Sequence, residues 1–414
     1  MAKNDSIAPD ITGPLKGIKV VEYCVFHAGP GAGAILGDLG ADVVKIENQE
    51  GDPMRDWNKL GARVFALPKG GNLLFEISNR NKRGICLDIN TEKGREIFLS
   101  MIKDADVFVT NLRKSTKIKL GIDYETLSKV NPKIIHANIS GYGPEGPISD
   151  LGAYDPMGQA RSGMMFVTGN TEPVLIQLAV LDQATCITAS HAIMTALFVR
   201  ERQGKGQEVH VSLLSTALWL LYVNLMSSSS KLLDPNIKWV RHENSPVRNN
   251  FCCKDGKWII GVHHPEEKYW PLFCKVTGKE ELLEDPRFIE YEGRIKNGKE
   301  LISIFDDVFT SKTRDEWLDL LLKNGLMFSP IQSIEEVLDD PQALANNYVV
   351  DFNHPDYGKV KIPGYPVHFS SFQAGTKCIA PKLGEHTDAV LLEMGYSDDI
   401  VQALKDEGVI YNDE

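Results

Sequence analysis

One acid stands inside an otherwise apolar helical run. In LIQLAVLDQATCITASHAIMTALFVRERQGKG, residues 175–206, Asp182 comes before Ile187, Ala189, Ile193, Met194, Ala196, Leu197 and Phe198, which recur at helical spacing up to Arg200, Arg202 and a Gly-Lys-Gly stop. The spacing predicts that Asp182 sits at or just before the first turn of a mostly buried helix. A carboxylate there can cap the helix by accepting its free N–H groups. It can equally attack an acyl carbon, because at an ordinary pKa of about 3.9 it is ionised without help from a base. The first role does not exclude the second.

Two basic clusters flank strand-like runs: Asn79-Arg80-Asn81-Lys82-Arg83 before one, and Asn111, Arg113, Lys114, Lys117 and Lys119 after another. At the ends of a sheet such clusters point to a phosphate-rich ligand, with solvated surface charge as the alternative for any single lysine. Near the start, GIKVVE (17–22) and DVVKIE (42–47) bracket a glycine-rich stretch carrying Gly29, Gly31, Gly33 and Gly37. This reads as strand, glycine-rich turn, helix, strand, with Glu47 where a dinucleotide fold places its ribose-binding acid. The third glycine of a full G-x-G-x-x-G is missing, since Ala34 or Leu36 stands there, so the pattern predicts a Rossmann-like sheet rather than an NAD site. His263, His264, Glu266 and Glu267 raise a metal site, but neighbouring residues of a strand point to opposite faces, and none is expected.

These residues need elements to carry them. GICLDI (84–89), DVFVTN (106–111), KIIHANIS (133–140) and EVHVSLL (208–214) are further strand-like runs separated by helical stretches, one of them at 91–103. The alternation predicts a twisted, mostly parallel sheet. It breaks at SSSSKLLDPNIK (227–238), which reads as a linker to a smaller region containing KWIIGVHH (257–264) and several helices. The expected organisation is a large α/β domain over 1–225, a linker and a smaller α+β domain over 226–340, and a segment over 341–414 that returns to the first. At 414 residues, 43% of them hydrophobic, the chain has material for two cores. A net charge of −11 argues against general affinity for nucleic acid or anionic membrane, and seven cysteines without a CxxC pair read as reduced thiols in a cytoplasm. No apolar run is long enough for a membrane span, and the first residues show no export signal.

Taken in order, GIKVVEY, HAGPGAGAILGDLGADVVKIE, NRNKRGICLDINTEKG, ADVFVTN, ISGYGPEGP, YDPMGQARSGMM, the Asp182 segment, GKGQEVHVSLLSTA and LGEHTDAVLLEMGY resemble the class III CoA-transferases along nearly the whole chain. Cinnamoyl-CoA:phenyllactate and succinyl-CoA:benzylsuccinate transferases look nearest. The resemblance implies a Rossmann-like large domain, a smaller domain, and two subunits threaded as interlocked rings. It implies acyl-CoA and carboxylic acid substrates, with coenzyme A entering as substrate and no tightly bound cofactor. By position Asp182 matches the family's nucleophile. CoA-binding positions fall on His27, Ala28, Asn48, Arg80, Asn81, Lys82, Arg83, Asn111, Leu112, Arg113, Lys119, Ser140, Gly141 and Tyr142, and the acyl group is expected near Phe26, His27 and Tyr154. Backbone N–H groups beside Asp182 and the glycines 29–33 are the expected oxyanion donors.

Two residues depart from the family pattern, Leu181 and Cys186 standing where glycines are usual, which implies a reshaped pocket near Asp182. The sister branch of 2-methylacyl-CoA racemases uses a histidine where this chain has Tyr154, which favours transfer over racemisation. A third reading makes the chain one subunit of a heterodimer or heterotetramer with a related partner, in place of a homodimer.

Overall fold

The computed structural model describes residues 13–67, 71–168, 172–230 and 240–412. The first residues and most of the expected linker lie outside that range. The chain divides into two compact units, Met1–Pro235 with Val350–Glu414, and Asn236–Val349. These divisions fall after 235 and 349.

The first unit is built on a seven-stranded sheet. Its strands are β1 (Lys19–Tyr23), β2 (Asp42–Glu47), β3 (Arg83–Leu87), β4 (Val107–Thr110), β5 (Ile135–Ser140), β6 (Gln207–Ser212) and β7 (Ile410–Tyr411). They lie in the order β6-β5-β4-β1-β2-β3-β7, all parallel except β7, which runs antiparallel to β3. β-branched runs make these strands because both sheet faces are covered. Within β1, Val21 joins the core of Ile46, Ile85, Phe98 and Phe108, while Val20 joins that of Leu36, Val43, Val107 and Ile193.

After β1 the chain crosses to β2 on one side and later to β4 on the other. The carboxyl ends of β1 and β4 are therefore a topological switch point, where crevices open in parallel α/β sheets. Four helices border that end: α1 (Ala28–Asp38), α2 (Leu73–Asn79), α3 (Asp155–Ser162) and α4 (Val180–Gln203). The stretch read as a glycine-rich turn is in fact the body of α1. Gly31 and Gly33 are helical residues whose missing side chains admit Cys186 of α4 and Glu22 of β1, to which a Cβ would stand at 2.3 and 2.0 Å. These glycines serve close packing, and no loop there is free to cradle a phosphate.

The second unit has a three-stranded antiparallel sheet, Asn250–Cys252, Trp258–Gly261 and Phe328–Ile331. It packs on helices Glu266–Thr277, Gly298–Phe309 and Arg314–Lys323 around Phe251, Phe273, Phe305, Phe309 and Trp317, all at most 1% exposed. His263 is part of this core. Its Nε2 accepts the Met327 N–H at 2.8 Å, so its Nδ1 donates to the Val247 carbonyl at 2.7 Å, and both ring nitrogens are committed.

Candidate active site

Asp182 falls in the first turn of α4, as its spacing predicts, but it does not cap the helix. The cap residue is Ala179, in the left-handed region like Leu178 before it (φ 56° and 64°), with no side-chain cap bond. The free N–H groups of Leu181 and Asp182 instead donate to one oxygen of Asp155, Oδ2, at 2.7 and 3.0 Å. Asp155 is 5% exposed, and its other oxygen accepts from Gln159 at 2.5 Å. Gln159 in turn clamps both backbone groups of Ile176 at 2.8 and 3.0 Å, so α3 pins the entry to α4. In the sequence Asp155 stands only as part of YDPMGQARSGMM, with no role read for it. The one signal is the spacing of Asp155 and Gln159, which shares a helix face.

Since Asp155 satisfies the helix end, the Asp182 carboxylate is left for the cleft it lines. Burial first, and then the negative Asp155, raise its pKa from 3.8 to about 7. The ordinary value assumed from sequence does not apply here. Beside it is His27, the residue before α1. Its Nδ1 lies 2.7 Å from Ser78 Oγ of α2 and its Nε2 3.0 Å from Gln183 Oε1. Burial pushes its pKa down to about 4, so the imidazole is neutral at physiological pH.

The segment leading to His27 is constrained. Phe26 has φ 63°, a conformation costing a side-chain-bearing residue roughly 1–2 kcal/mol. Its N–H donates to Asp52 Oδ1 at 3.0 Å, while Asn111 takes the N–H and carbonyl of Val25 at 2.9 and 2.6 Å. The Phe26 ring then meets Tyr154 at 5.2 Å and Trp57 at 5.7 Å, both nearly edge-on, and Trp57 lies 6.0 Å from Tyr154. At the start of α1, the N–H groups of Ala28 and Gly29 have no acceptor within the helix. The Gly31 N–H is taken by the His27 carbonyl at 2.7 Å. Of the N–H groups expected as oxyanion donors along 29–33, Gly29 alone has no acceptor within the helix, Pro30 having no N–H, and the N–H groups of Leu181 and Asp182 are taken by Asp155.

A cleft of about 1160 Å³ opens at the carboxyl ends of β1, β4 and β5. It is lined by Phe26, His27, Ala28, Asn111, Leu112, Arg113, Ser140, Gly141, Tyr154 and Asp182, together with Lys114 and Lys117. Other expected ligand residues are not on its wall. Arg80 is paired with Asp38 (2.5 Å) and Arg83 with Asp42 and Glu393 (both 2.6 Å). Asn81 is buried, donating to Asp38 and Gly375 and accepting from Lys377 and Cys378. Lys82 is buried against Glu22 at 2.8 Å. Asn48 and Lys119 lie off the cleft, and Tyr142 has Arg161 over its ring at 5.7 Å. Glu47, at the end of β2, holds Arg55 at 2.6 Å, so it is not a ribose acceptor.

Both departures from the family pattern fit without entering the cleft. Leu181 packs with Met164, Leu213 and Ala217, in space left by Gly158, whose Cβ would lie 2.7 Å from it. Cys186 Sγ lies 3.4 Å from the Ala28 carbonyl, in the space that Gly31 leaves. Gly31→Ala is therefore expected to destabilise by about 1–3 kcal/mol through overpacking. Adding Cys186→Ala should recover most of that, a coupling readable by denaturant titration of the four-member cycle; additive losses would refute the fit.

Residues 15–387 match the profile of CoA-transferase family III. The chain is 32% identical over 401 residues to an (R)-2-hydroxy-4-methylpentanoate CoA-transferase of Clostridioides difficile, covering 96% of this chain and 99% of the relative. It is 31% identical over 413 residues to a cinnamoyl-CoA:phenyllactate CoA-transferase of Clostridium sporogenes, covering 97% and 99%. It is 33% identical over 404 residues to the human succinyl-CoA:glutarate CoA-transferase, covering 96% and 90%. A crystal structure of a CaiB/BaiF family protein from Brucella suis superposes with a TM-score of 0.82 at 32% identity, covering 92% of this chain and 99% of that one. A carboxylate over a cleft at the switch point, and likeness along the full length, lead to one conclusion: the chain belongs to family III of the CoA-transferases, the CaiB/BaiF type.

Proposed function

We propose that the chain moves CoA between carboxylic acids through covalent intermediates on Asp182. The observation that supports this most is that the Asp182 carboxylate, relieved of capping by Asp155, lines the cleft beside neutral His27 and the start of α1. In the proposed sequence, the ionised carboxylate attacks the thioester carbon of a donor acyl-CoA. The C–S bond breaks, leaving an aspartyl-acyl anhydride and CoA thiolate. The thiolate attacks the Asp182 carbonyl of that anhydride and releases the donor acid, giving an aspartyl-CoA thioester. An acceptor carboxylate then displaces the thiolate to form a second anhydride. The thiolate returns to the acceptor's acyl carbon, and Asp182 is regenerated as carboxylate. Each attack passes through a tetrahedral oxyanion, for which the Ala28 and Gly29 N–H groups are the assigned donors. Ala28, Asn111, Leu112, Arg113, Ser140 and Gly141 would hold CoA, with Arg113, Lys114 and Lys117 as its phosphate partners.

The acyl end is assigned to Phe26 and Tyr154, backed by Trp57. Such rings favour an aryl or branched apolar group, and Arg80 and Lys82 are held by Asp38 and Glu22 and so are not offered to the distal carboxylate of a dicarboxylic acid. Two of the relatives above are named for phenyllactate and 2-hydroxy-4-methylpentanoate, which fits that preference. In a mass-spectrometric screen of acyl-CoA donors against acids, kcat/KM for 3-phenylpropanoate or 4-methylpentanoate should exceed that for succinate or glutarate by about tenfold or more. The reverse order would refute the assignment. A racemase would instead wash deuterium from the α-carbon of a 2-methylacyl-CoA with no acceptor present. Tyr154 stands where that branch has its histidine, so one of the two proton-transfer groups is missing, and no washout is expected.

We also propose that the chain pairs with a second copy of itself. Trp219, Tyr222, Val223 and Met226 are 53–75% exposed along the consecutive helices Leu213–Leu220 and Tyr222–Ser230, a larger apolar run than isolated surface residues make. Light scattering should give twice the chain mass; a monomer, or an obligate related partner on co-purification, would contradict it.

A further inference from the structure

Four ionisable side chains lie fully inside the first unit, under the start of α1: Glu22, Lys45, Asp52 and Lys82, at 0, 0, 1 and 2% exposure. They form one chain of contacts. Lys82 reaches both oxygens of Glu22 at 2.8 and 2.9 Å, Lys45 reaches Glu22 at 3.5 Å, and Lys45 reaches Asp52 at 3.0 Å. Burial drives the Lys82 pKa down to about 8, whereas for Lys45 Asp52 and Glu22 together outweigh burial and raise it, so Lys45 is the firmly charged member. Buried ion pairs of this kind seldom add stability over apolar packing of the same volume.

What the network does hold is the backbone of one short segment. Lys45 donates to the Cys24 carbonyl and Lys82 to the Pro30 carbonyl, each at 2.8 Å. Asp52 Oδ1 accepts the Phe26 N–H at 3.0 Å and its own turn's Met54 N–H at 2.9 Å. Between those anchors lie Phe26, at φ 63°, then His27, Ala28 and Gly29. Gly33 is kept bare by the same arrangement, since a Cβ there would come within 2.0 Å of Glu22 Oε2. Strained backbone at a functional site persists where its surroundings over-determine it.

We infer that Asp52, braced by Lys45, is a positioning residue for acyl transfer: by holding the Phe26 N–H it keeps the left-handed turn that places the Ala28 and Gly29 N–H groups at the developing oxyanion. The inference rests on the reading of Asp182 as nucleophile. Two variants test it. Asp52→Ala removes both acceptors, whereas Asp52→Asn keeps one for the Phe26 N–H and puts an amide NH2 in place of the charged acceptor facing Lys45. On the full chain, kcat and KM are measured separately, with Kd for CoA and thermal unfolding recorded alongside. Asp52→Ala is expected to lower kcat by about 10²–10³-fold while Kd for CoA moves less than about threefold, and Asp52→Asn should recover at least about tenfold of the lost kcat. Wild-type kcat in folded Asp52→Ala would overturn the inference. So would a loss of activity that follows only the folded fraction, or a failure of both variants to fold. If the wild-type protein itself forms no covalent adduct at Asp182, the inference falls with the underlying reading, and that failure is seen in the parent rather than in the variants.

Discussion

Asp182→Asn is expected to lose roughly 10⁴-fold or more in CoA transfer and at the same time to unfold at a higher temperature above pH 7. The first half follows from removing the only group in the cleft assigned to carry acyl and CoA in turn. The second follows from linkage. The folded pKa of about 7 stands above the ordinary 3.8, so the native state binds this proton more tightly than the unfolded chain does. The stability that the protonated acid contributes is complete below about pH 4 and is lost as pH rises through 7. Above that, the wild type carries the full cost of a buried carboxylate. The difference between 3.8 and about 7 corresponds to about 4 kcal/mol, trimmed to the order of 1–3 kcal/mol because the side chain opens onto cleft water. Asparagine carries no charge and escapes that cost. Unfolding followed from pH 3 to 9 should show the two proteins alike near pH 4 and below, diverging between about 4 and 7 and keeping a constant gap above; curves that stay parallel over the whole range would refute the raised pKa.

Changing Asp155 should separate positioning from ionisation. In Asp155→Ala the N–H groups of Leu181 and Asp182 lose their shared acceptor, at a cost of about 1–3 kcal/mol, and the entry to α4 is freed. Turnover should fall by about 10²-fold, the usual scale for a misplaced reacting group. Asp155→Asn keeps an acceptor oxygen but removes the charge that helps hold the Asp182 pKa up. Wild-type kcat/KM should rise with one ionisation near pH 7 and level off above it, and in Asp155→Asn the same limb should lie at lower pH. An unmoved limb would mean that burial alone sets the value.

The central strands were legible in the sequence for a physical reason. DVVKIE predicts β2 residue for residue, and GICLDI, DVFVTN and KIIHANIS contain most of β3, β4 and β5, because strands covered on both faces read as unbroken apolar runs. Asp182 was legible too, since one acid in an apolar helix stands out. What pairs with what was not. Lys82 meets Glu22 across 60 residues and Arg80 meets Asp38 across 42, so a cluster that looks free on the page is consumed by carboxylates that only the folded sheet brings near. The glycines of α1 misled in a similar way. They resemble a phosphate loop by spacing, yet Gly31 and Gly33 answer to Cys186 and Glu22, partners distant in sequence. Asp155 stayed hidden because capping of α4 comes from another helix, 27 residues upstream of Asp182.

The central claim is that Asp182 becomes covalently bonded during turnover, and trapping tests it most directly. The protein is mixed with an aryl acyl-CoA, quenched with hydroxylamine or borohydride, digested and mapped by mass spectrometry. A hydroxamate or a reduced side chain on Asp182 alone, absent without the acyl-CoA and absent in Asp182→Asn, is the predicted result. An unmodified Asp182 under conditions of full transferase turnover, or a modification on another carboxylate, would contradict the account.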